Sequence, residues 1–422
     1  MAHNVVLVGI GGYGINYTHY FRTLEKEGNT DYVVAGIVDP FWEKSGDADW
    51  VRERGFKVYN SLEEFYAEKT ADIALIATPI PLHAQQCICA MEHGSNVLVE
   101  KPLCPTIDDA IRLQEVSQRT GKFLAVGFQW SFSTTMLSLK KDILAGRFGK
   151  PVALRSYISW QRFLSYYNNT WKGKYQGKNG EWILDCVITN ATAHYLHNLY
   201  FISGGALDEA SMPNYVRAES YRVKPDMETP DVFALRGEIA CGAERTVVPF
   251  FYGCSYSLSG AQCTTFEYEF ELATIKFNID ERDDQVRAYF RDGSCAVYGN
   301  PQPSWERARK ITTCLEALDD PSVLIPCTIK TIMPHLKTCN GLFAYVPNIP
   351  VPARYLVTEY DSAGSPGILA HTLRDNMLVC VNEMKLPSEK GYSWSHDPVE
   401  FTPDTLTAFP GVYCAEKVSP EV

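Results

Sequence analysis

A lysine between a glutamate and a proline follows an apolar run with the composition of a buried strand. The stretch SNVLVEKPLCPT, residues 95–106, passes from VLV directly into Glu100, Lys101 and Pro102. Ligands of open α/β sheets bind outside the carboxyl ends of the strands, so these side chains would lie where a ligand binds. A partly desolvated lysine beside a positive charge has a lowered pKa and can accept a proton from an alcohol. An ion pair between Lys101 and Glu100 is the structural alternative.

A second group of polar residues lies in the apolar stretch ILDCVITNATAHYLHNLYFISG, residues 183–204. If a helix begins near Val187, a turn of about 100° per residue places Asn190, His194 and His197 on one face. Burying them costs free energy unless they are hydrogen-bonded or functional, and imidazole suits proton transfer near neutral pH. They are candidates for orienting a substrate hydroxyl, with core packing as the alternative. We expect no metal, because no carboxylate or thiol joins them at ligand spacing.

The N-terminal stretch VVLVGIGGYGIN predicts a nucleotide site. It carries G-x-G-x-x-G at Gly9, Gly11 and Gly14, between a strand-like run and a helix-like run. Glycines there allow a tight turn and a close approach of the backbone to a pyrophosphate at the helix N-terminus. The next strand-like run ends in Asp39, whose carboxylate can accept both ribose hydroxyls and would repel a 2′-phosphate. The sequence therefore favours NAD over NADP.

The elements that would position these residues alternate between strands and helices. Short apolar runs at 4–11, 32–39, 72–79, 96–100 and 122–129 predict a doubly wound parallel Rossmann sheet. Longer strand-like segments after about residue 150 predict a C-terminal α+β domain with a large, mostly antiparallel open sheet. We therefore expect an NAD-binding domain at 1–130 and a substrate and oligomerisation domain at 131–345. A C-terminal extension would occupy 346–422, and one arrangement is that this extension packs on the second domain.

Composition excludes several kinds of partner. Fifty acidic and 39 basic side chains give a net charge of -11, and no Lys/Arg run could follow a nucleic acid backbone. No apolar stretch approaches the length of about 18 residues that a membrane span requires, so we expect a cytoplasmic protein. Thirteen cysteines without C-x-x-C pairs fit reduced thiols better than a disulfide framework.

At these motifs the chain resembles the Gfo/Idh/MocA oxidoreductases, relatives of glucose-fructose oxidoreductase and inositol dehydrogenase, over about residues 1–345. The matching stretches are GIGGYG, Asp39, the long run ATPIPLHAQQCICAMEHGSNVLVEKPL and GFQ at 127–129. The resemblance implies an NAD cofactor, a catalytic Lys101 in the EKP signature, and a homo-dimer or homo-tetramer. It implies cofactor contacts from Gly9, Gly11, Gly12, Tyr13, Gly14, Asp39, Thr78, Pro79, His83, Glu100, Lys101 and Gln129.

The second polar group departs from the family pattern. Members of the family carry D-x-x-x-H-x-x-D on a helix, and here Asn190 and His197 stand in the two Asp positions around His194. Without those carboxylates His194 would act as a neutral residue that orients the hydroxyl, and Lys101 would be the main base. Asp185 lies off the predicted helical face and is a weak substitute.

The segment WQRFLSYYNNTWKGKYQGKNGEW, residues 160–182, is dense in aromatic and polar side chains. Aromatic rings stack on sugar rings and polar groups bind hydroxyls, although interdomain packing is the alternative. With His194, the candidate substrate residues are Trp160, Arg162, Tyr166 and Trp171.

These observations favour an NAD-dependent oxidoreductase that acts on a CH–OH group of a sugar, cyclitol or glycoside. One alternative is a redox-neutral glycosidase that uses tightly bound NAD for transient oxidation, elimination, water addition and re-reduction. It requires a second acid or base, for which His197 and Tyr166 are candidates. The other alternative is a non-catalytic NAD-binding sensor, which the two missing carboxylates suggest.

Overall fold

The computed structural model describes residues 2–167, 171–279 and 284–414, and the chain forms two compact units. Unit 1 comprises Met1–Ser133 and Gln302–Ile332, and unit 2 comprises Thr134–Pro301 and Met333–Val422. One feature differs from the predicted domains, because residues 302–332, predicted to lie in the second domain, belong to unit 1. The predicted extension at 346–422 belongs to unit 2.

Unit 1 contains a six-stranded parallel sheet. Its strands are β1 (His3–Val8), β2 (Tyr32–Val38), β3 (Val58–Tyr59), β4 (Ile73–Ile76), β5 (Asn96–Val99) and β6 (Leu124–Val126). They are ordered β3-β2-β1-β4-β5-β6, and every neighbouring pair is parallel. All four residues of β4 are fully buried, as expected for strands covered on both faces. The predicted parallel sheet is confirmed.

Helices follow the strands of unit 1 and begin at the residue types that favour helix ends. They are α1 (Ile15–Lys26), α2 (Ala48–Arg54), α3 (Leu62–Glu68), α4 (Ile80–Glu92), α5 (Ile107–Thr120) and α6 (Gln129–Phe132). Ser61 and Thr106 accept backbone N–H groups at the starts of α3 and α5, and Gly121 ends α5 in the left-handed conformation.

Unit 2 begins with α7 (Thr134–Leu144), and two further helices lie between the first and second strands of its large sheet. They are α8 (Leu164–Tyr167) and α9 (Ala193–Ser203). The strands are β7 (Pro151–Ser159), β8 (Pro213–Arg222), β9 (Val232–Cys241), β10 (Thr246–Ser255), β11 (Cys263–Phe270), β12 (Ala273–Asn278), β13 (Val286–Phe290) and β14 (Cys295–Gly299).

The chain then returns to unit 1 before it completes unit 2. Helix α10 (Arg309–Asp319) belongs to unit 1, where Val126 N–H also donates to Cys327 O at 2.9 Å. The division between the units falls inside α11 (Ile329–Tyr345). The remaining elements are β15 (Asn348–Pro350), β16 (Leu356–Tyr360), β17 (Pro366–Ala370), α12 (Leu373–Glu383) and β18 (Val399–Phe401).

A ten-stranded sheet forms the frame of unit 2. Its order is β14-β13-β12-β11-β7-β10-β9-β8-β15, and β18 also pairs with β8. Only β7–β10 and β8–β15 are parallel among these pairs, so the predicted mostly antiparallel sheet is confirmed. The C-terminal segment packs on this sheet, with α12 against β7 and β10. Met377, Cys380 and Trp394 are buried there in one core cluster with Tyr157 and Phe251. No helix in the described part of the chain is long and apolar enough to cross a bilayer.

Candidate active site

Of the three glycines of the G-x-G-x-x-G motif, one leaves room for a ligand and two are closely packed. A Cβ on Gly14 would lie 2.3 Å from Gly9 O, and one on Gly9, where φ is +86°, would lie 2.9 Å from Ala77 O. A Cβ on Gly11 would meet nothing within 4 Å. Gly9 and Gly14 are therefore required by local packing, and Gly11 is the glycine that opens the backbone on the ligand side at the start of α1.

Asp39 joins the end of β2 to the glycine loop. Its Oδ2 accepts from Ile10 N at 2.9 Å, and its Oδ1 accepts from Phe41 N at 2.8 Å. The carboxylate is half-buried. These contacts fix the acidic group beside the loop, at the edge of the sheet where a nucleotide ribose would lie in this fold.

The residues after β4 form a turn that His83 connects to the segment after β5. Pro79 precedes α4, and Thr78 Oγ1 donates to Gln86 Oε1 at 2.5 Å. The ring nitrogens of His83 lie 2.8 Å from Thr78 O and 2.9 Å from Pro102 O, and burial lowers the pKa of the imidazole. His83 is only 1% exposed. The structure thus gives this predicted cofactor residue a positioning role between two loops.

Glu100 is engaged in a buried ion pair. Its Oε1 accepts from the Nζ of Lys310 in α10 and from Tyr17 Oη at 2.8 Å, while its Oε2 accepts from Lys101 N at 3.3 Å. A Cβ on Gly127 would lie 3.0 Å from the carboxylate, so this glycine leaves space for the pair. The predicted cofactor residue Glu100 therefore anchors the segment that carries Lys101, whose preceding strand ends at Val99 and whose peptide bond to Pro102 is cis.

Three tyrosines of the first helical turns surround the ammonium of Lys310. Its Nζ lies 5.4, 4.9 and 5.6 Å from the ring centroids of Tyr13, Tyr17 and Tyr20. Tyr13 Oη donates to Gln129 Oε1 at 3.3 Å, and Gln129 Nε2 donates to Gln302 Oε1 at 2.7 Å. The predicted cofactor residues Tyr13 and Gln129 thus share a polar network in unit 1, and Tyr13 remains 43% exposed.

In unit 2 the predicted helix from Val187 is wrong, because α9 begins only at Ala193. The residues before it form turns closed by their own side chains. Thr189 Oγ1 accepts from Cys186 N at 3.0 Å, and Thr192 Oγ1 donates to Val187 O at 2.6 Å. Such local hydrogen bonds compete with helical ones. Asn190 therefore does not share a helical face with His194 and His197.

The three predicted polar residues have different surroundings. Asn190 Nδ2 donates to Asp185 Oδ1 at 2.7 Å. Its partner is therefore the aspartate that lies off the predicted helical face. His194 is half-buried in the first turn of α9. His197 is 1% exposed beside the Phe201 ring, and burial, His335 and Lys140 lower its imidazole pKa. The structure thus places His197 in the core of unit 2, where its neutral form is favoured.

The aromatic segment contributes a cluster around Arg162. The guanidinium carbon lies 5.6, 5.1 and 5.3 Å from the ring centroids of Trp160, Tyr166 and Tyr256. Lys172 Nζ lies 3.7 Å from the Tyr166 centroid. Trp160 Nε1 donates to Thr264 Oγ1 at 2.6 Å, while Trp171 is half-buried. Arg162, Trp160 and Tyr166 are therefore together as predicted, and Lys172 and Tyr256 join them.

Comparison with known proteins agrees with these features. Residues 3–128 match the model of an oxidoreductase family with an NAD-binding Rossmann fold, GFO_IDH_MocA. Residues 3–128 are therefore similar to the Gfo/Idh/MocA oxidoreductases. It is 29% identical over 143 residues to the 1-carboxy-3-chloro-3,4-dihydroxycyclo hexa-1,5-diene dehydrogenase of Comamonas testosteroni, covering 34% of this chain and 35% of that protein. It is 28% identical over 151 residues to the inositol 2-dehydrogenase of Mycolicibacterium smegmatis, covering 36% and 42%.

A likeness of fold to solved structures covers most of the chain. An oxidoreductase from Agrobacterium radiobacter, solved in complex with NAD+, L-tartaric acid and magnesium, has a TM-score of 0.63 at 16% identity. The match covers 79% of this chain and 94% of that one. The family resemblance identified the EKP segment and the glycine loop but not Lys310 or Tyr17. The tyrosines at 13, 17 and 20 follow a helical spacing that could have indicated a shared face, whereas Lys310 lies 210 residues from Glu100 and gave no local signal.

Proposed function

We propose that the chain is an NAD-dependent oxidoreductase that acts on a CH–OH group of a sugar, cyclitol or glycoside. The proposal depends on one observation, which is that the candidate residues follow neighbouring strands at one edge of the parallel sheet. The glycine loop after β1, Asp39 after β2, Thr78 after β4 and Lys101 after β5 all follow parallel strands of one sheet. Dinucleotides bind at this edge in doubly wound folds.

The residues present fit an NAD molecule. Gly11 offers open space to a pyrophosphate, the start of α1 offers backbone N–H groups, and the Asp39 carboxylate suits ribose hydroxyls. Tyr13, Gly12, Thr78, Pro79 and Gln129 stay proposed cofactor neighbours. When bound, NAD would accept a hydride from the carbinol carbon. An aspartate rather than an arginine at position 39 favours NAD over NADP.

The proton chemistry is assigned to side chains of this chain. Lys101 accepts the hydroxyl proton, and Glu100, held by Lys310 and Tyr17, fixes the backbone that carries it. In unit 2, His194 and Asn190 orient the hydroxyl oxygen, with Asn190 itself held by Asp185. Arg162, Tyr166, Trp160 and Trp171 bind the rest of the substrate. Inositol 2-dehydrogenase among the relatives supports a polyol or sugar substrate.

A redox-neutral glycosidase would require a second acid or base. Of the two candidates, His197 is buried in the core, and burial raises the pKa of Tyr166. We therefore keep the simple oxidoreductase as the proposal. The nucleotide released by denaturing the purified protein separates the two reactions, because a redox-neutral enzyme would retain stoichiometric NAD or NADH.

Substitution of Lys101 tests the proposed function. Lys101→Ala should lower kcat for NADH formation on a sugar and polyol panel by about 10²- to 10⁴-fold, the usual contribution of a general base. Affinity for NAD should fall less in this variant than in Asp39→Ala, which serves as the matched control. Full activity of Lys101→Ala would refute the assignment. Binding of NADH by wild-type protein without turnover on any member of the panel would favour a non-catalytic sensor.

A homo-dimer or homo-tetramer is also part of the proposal, on the family resemblance alone. Light scattering of the purified chain would measure the mass in solution, and a monomer would contradict it.

A further inference from the structure

Three cationic side chains of unit 2 lie around the rings of Tyr166, Tyr167 and Tyr256, and one of them is matched by a carboxylate. Lys224 Nζ lies 3.8 Å from Asp231 Oδ2, donates to Tyr256 O at 3.2 Å and contacts Ser257 Oγ. Asp231 is completely buried and also accepts from Val223 N at 2.7 Å. The Lys224–Asp231 pair therefore balances its own charge.

Arg162 is not matched in this way. A guanidinium has five N–H donors. Among the described residues, the guanidinium donates from Nη1 to Gln161 O at 3.1 Å and lies beside the Tyr166 hydroxyl, and its Nε is buried without an acceptor. The three aromatic rings attract the cation through their faces but do not replace in-plane acceptors. A buried donor without an acceptor is unfavourable, so the site lacks an oxygen ligand.

Lys172 adds a second cation on the ring of Tyr166. Its Nζ lies 3.7 Å from the Tyr166 centroid, and it forms no ion pair with a described residue. Burial lowers the pKa of this lysine, Asp185 raises it and Arg162 lowers it. The carboxylate that raises the pKa of Lys172 is that of Asp185, and its oxygens accept from Gly173 N at 2.8 Å and from Asn190 Nδ2 at 2.7 Å.

The charges of this cluster leave an excess. Of the two cations, Lys172 lies near the carboxylate of Asp185 and Arg162 forms no ion pair with a described residue, so one positive charge has no counterpart. Residues 168–170, which lie outside the described part, are Asn, Asn and Thr and carry no charge. A monoanion restores neutrality, whereas a phosphate group with a charge of about -1.5 to -2 would exceed it.

We propose, building on the proposed function, that Arg162 and Lys172 bind a carboxylate of the substrate, which makes the substrate a sugar acid. The planar guanidinium matches a carboxylate through two parallel N–H···O bonds. The rings of Trp160, Tyr166 and Tyr256 supply the apolar faces on which a sugar ring stacks.

Matched pairs of substrates test this proposal. We would measure NADH formation with glucose and glucuronate, galactose and galacturonate, and mannose and mannuronate. The acid should be preferred in kcat/KM by about 10- to 100-fold in the pair that is turned over, because a charge-assisted hydrogen bond is lost with the neutral sugar. Arg162→Met should reduce this preference to about twofold or less, mainly through KM, and Arg162→Lys should retain part of it.

The control variant is Arg354→Met. Arg354 also lies over a tyrosine ring, with its guanidinium carbon 4.9 Å from the Tyr355 centroid, but it is exposed in the C-terminal segment. This variant should keep the full preference for the acid. A neutral sugar used as well as its acid, or an unchanged preference in Arg162→Met, would overturn the proposal.

Binding without turnover separates this proposal from the proposed function. If no carbohydrate reduces NAD+, the oxidoreductase assignment fails, and titration of the intrinsic tryptophan fluorescence with the same six sugars still decides the carboxylate subsite. Tighter binding of an acid that is lost in Arg162→Met supports the subsite. Equal binding of acids and neutral sugars, or binding of neither, overturns it.

Discussion

Two cations of this protein are each surrounded by three aromatic rings, and only one of them has a carboxylate partner among the described residues. Lys310 in unit 1 lies within 5.6 Å of the centroids of Tyr13, Tyr17 and Tyr20 and contacts Glu100. Arg162 in unit 2 lies within 5.6 Å of the centroids of Trp160, Tyr166 and Tyr256 and contacts the carbonyl of Gln161. The rings are equivalent in number and distance, so the carboxylate is the difference.

This difference separates a cation that holds the fold from one that is available to a ligand. The side chain of Lys310 is 0% exposed and that of Glu100 is 6% exposed, so removing either charge leaves the other buried without a partner. Arg162 is half-buried and leaves no carboxylate unpaired when it is removed. We therefore expect substitutions of Lys310 to act on stability and substitutions of Arg162 to act on binding.

The largest expected effect is that of Lys310→Met on stability. The variant should lose about 3–5 kcal/mol of unfolding free energy, because the Glu100 carboxylate remains buried without its counter-ion. Urea denaturation followed by circular dichroism measures this loss. The double variant Lys310→Met/Glu100→Gln should recover part of it, since the uncompensated charge is then removed as well.

The matched control for this prediction is an exposed pair. Lys276 Nζ lies 2.7 Å from Glu267 Oε2, and both side chains are partly exposed. Lys276→Met should therefore change the unfolding free energy by about 1 kcal/mol or less. Similar losses for Lys310→Met and Lys276→Met would show that the buried pair does not hold the fold.

Lys224 is intermediate between Lys310 and Arg162 in its contacts with rings and carboxylates. It differs from both in the pH dependence of stability that we expect from it. Its Nζ lies near one ring, that of Tyr167, and 3.8 Å from Asp231, and burial lowers its pKa from 10.5 to about 8. Because the folded-state value is the lower one, the unfolded state binds more protons between about pH 8 and 10.5. Stability should therefore rise with pH across that window, by up to about 3 kcal/mol.

Comparison with Lys224→Met isolates this contribution. Tyrosines and cysteines that titrate in the same window are common to both proteins, so the difference between their stability curves belongs to Lys224. The wild type should gain stability relative to the variant from pH 8 to 10.5, measured by urea denaturation at each pH. Parallel curves would mean that the lysine keeps an ordinary pKa in the folded state.

The candidate cofactor residues of unit 1 could be predicted because their signals are local. The glycine loop, the strand runs and the caps at Ser61 and Thr106 each depend on neighbours within a few residues. Lys310 could not be found in this way, because its partner Glu100 lies 210 residues earlier in the chain. Lys310 is buried, whereas its residue type alone would predict a position on the solvated surface.

In unit 2 the residue types before α9 indicate turns, although the spacing of the polar residues predicts a helix there. Thr189, Asn190 and Thr192 are residue types whose side chains compete with helical hydrogen bonds, and they form turns before α9. The same turns bring Asn190 to Asp185, so a carboxylate takes part in the site from outside the expected helical face. The aromatic segment was correctly grouped by composition, but the shortage of acceptors around Arg162 depends on tertiary contacts that no sequence pattern reports.

The smallest expected effect is that of Arg162→Met on the stability of the protein without ligand. Loss of the attraction to the rings, about 0.5–1 kcal/mol each at exposed sites, is offset by removal of a buried donor that lacks an acceptor, which costs about 1–3 kcal/mol. The unfolding free energy should therefore change by about 1 kcal/mol or less. A loss as large as that of Lys310→Met would mean that Arg162 is a second structural cation, and the distinction between the two aromatic surroundings would fail. Adding the preferred sugar acid should raise the Tm of the wild type and leave that of Arg162→Met unchanged, because only a ligand that binds the folded state stabilises it.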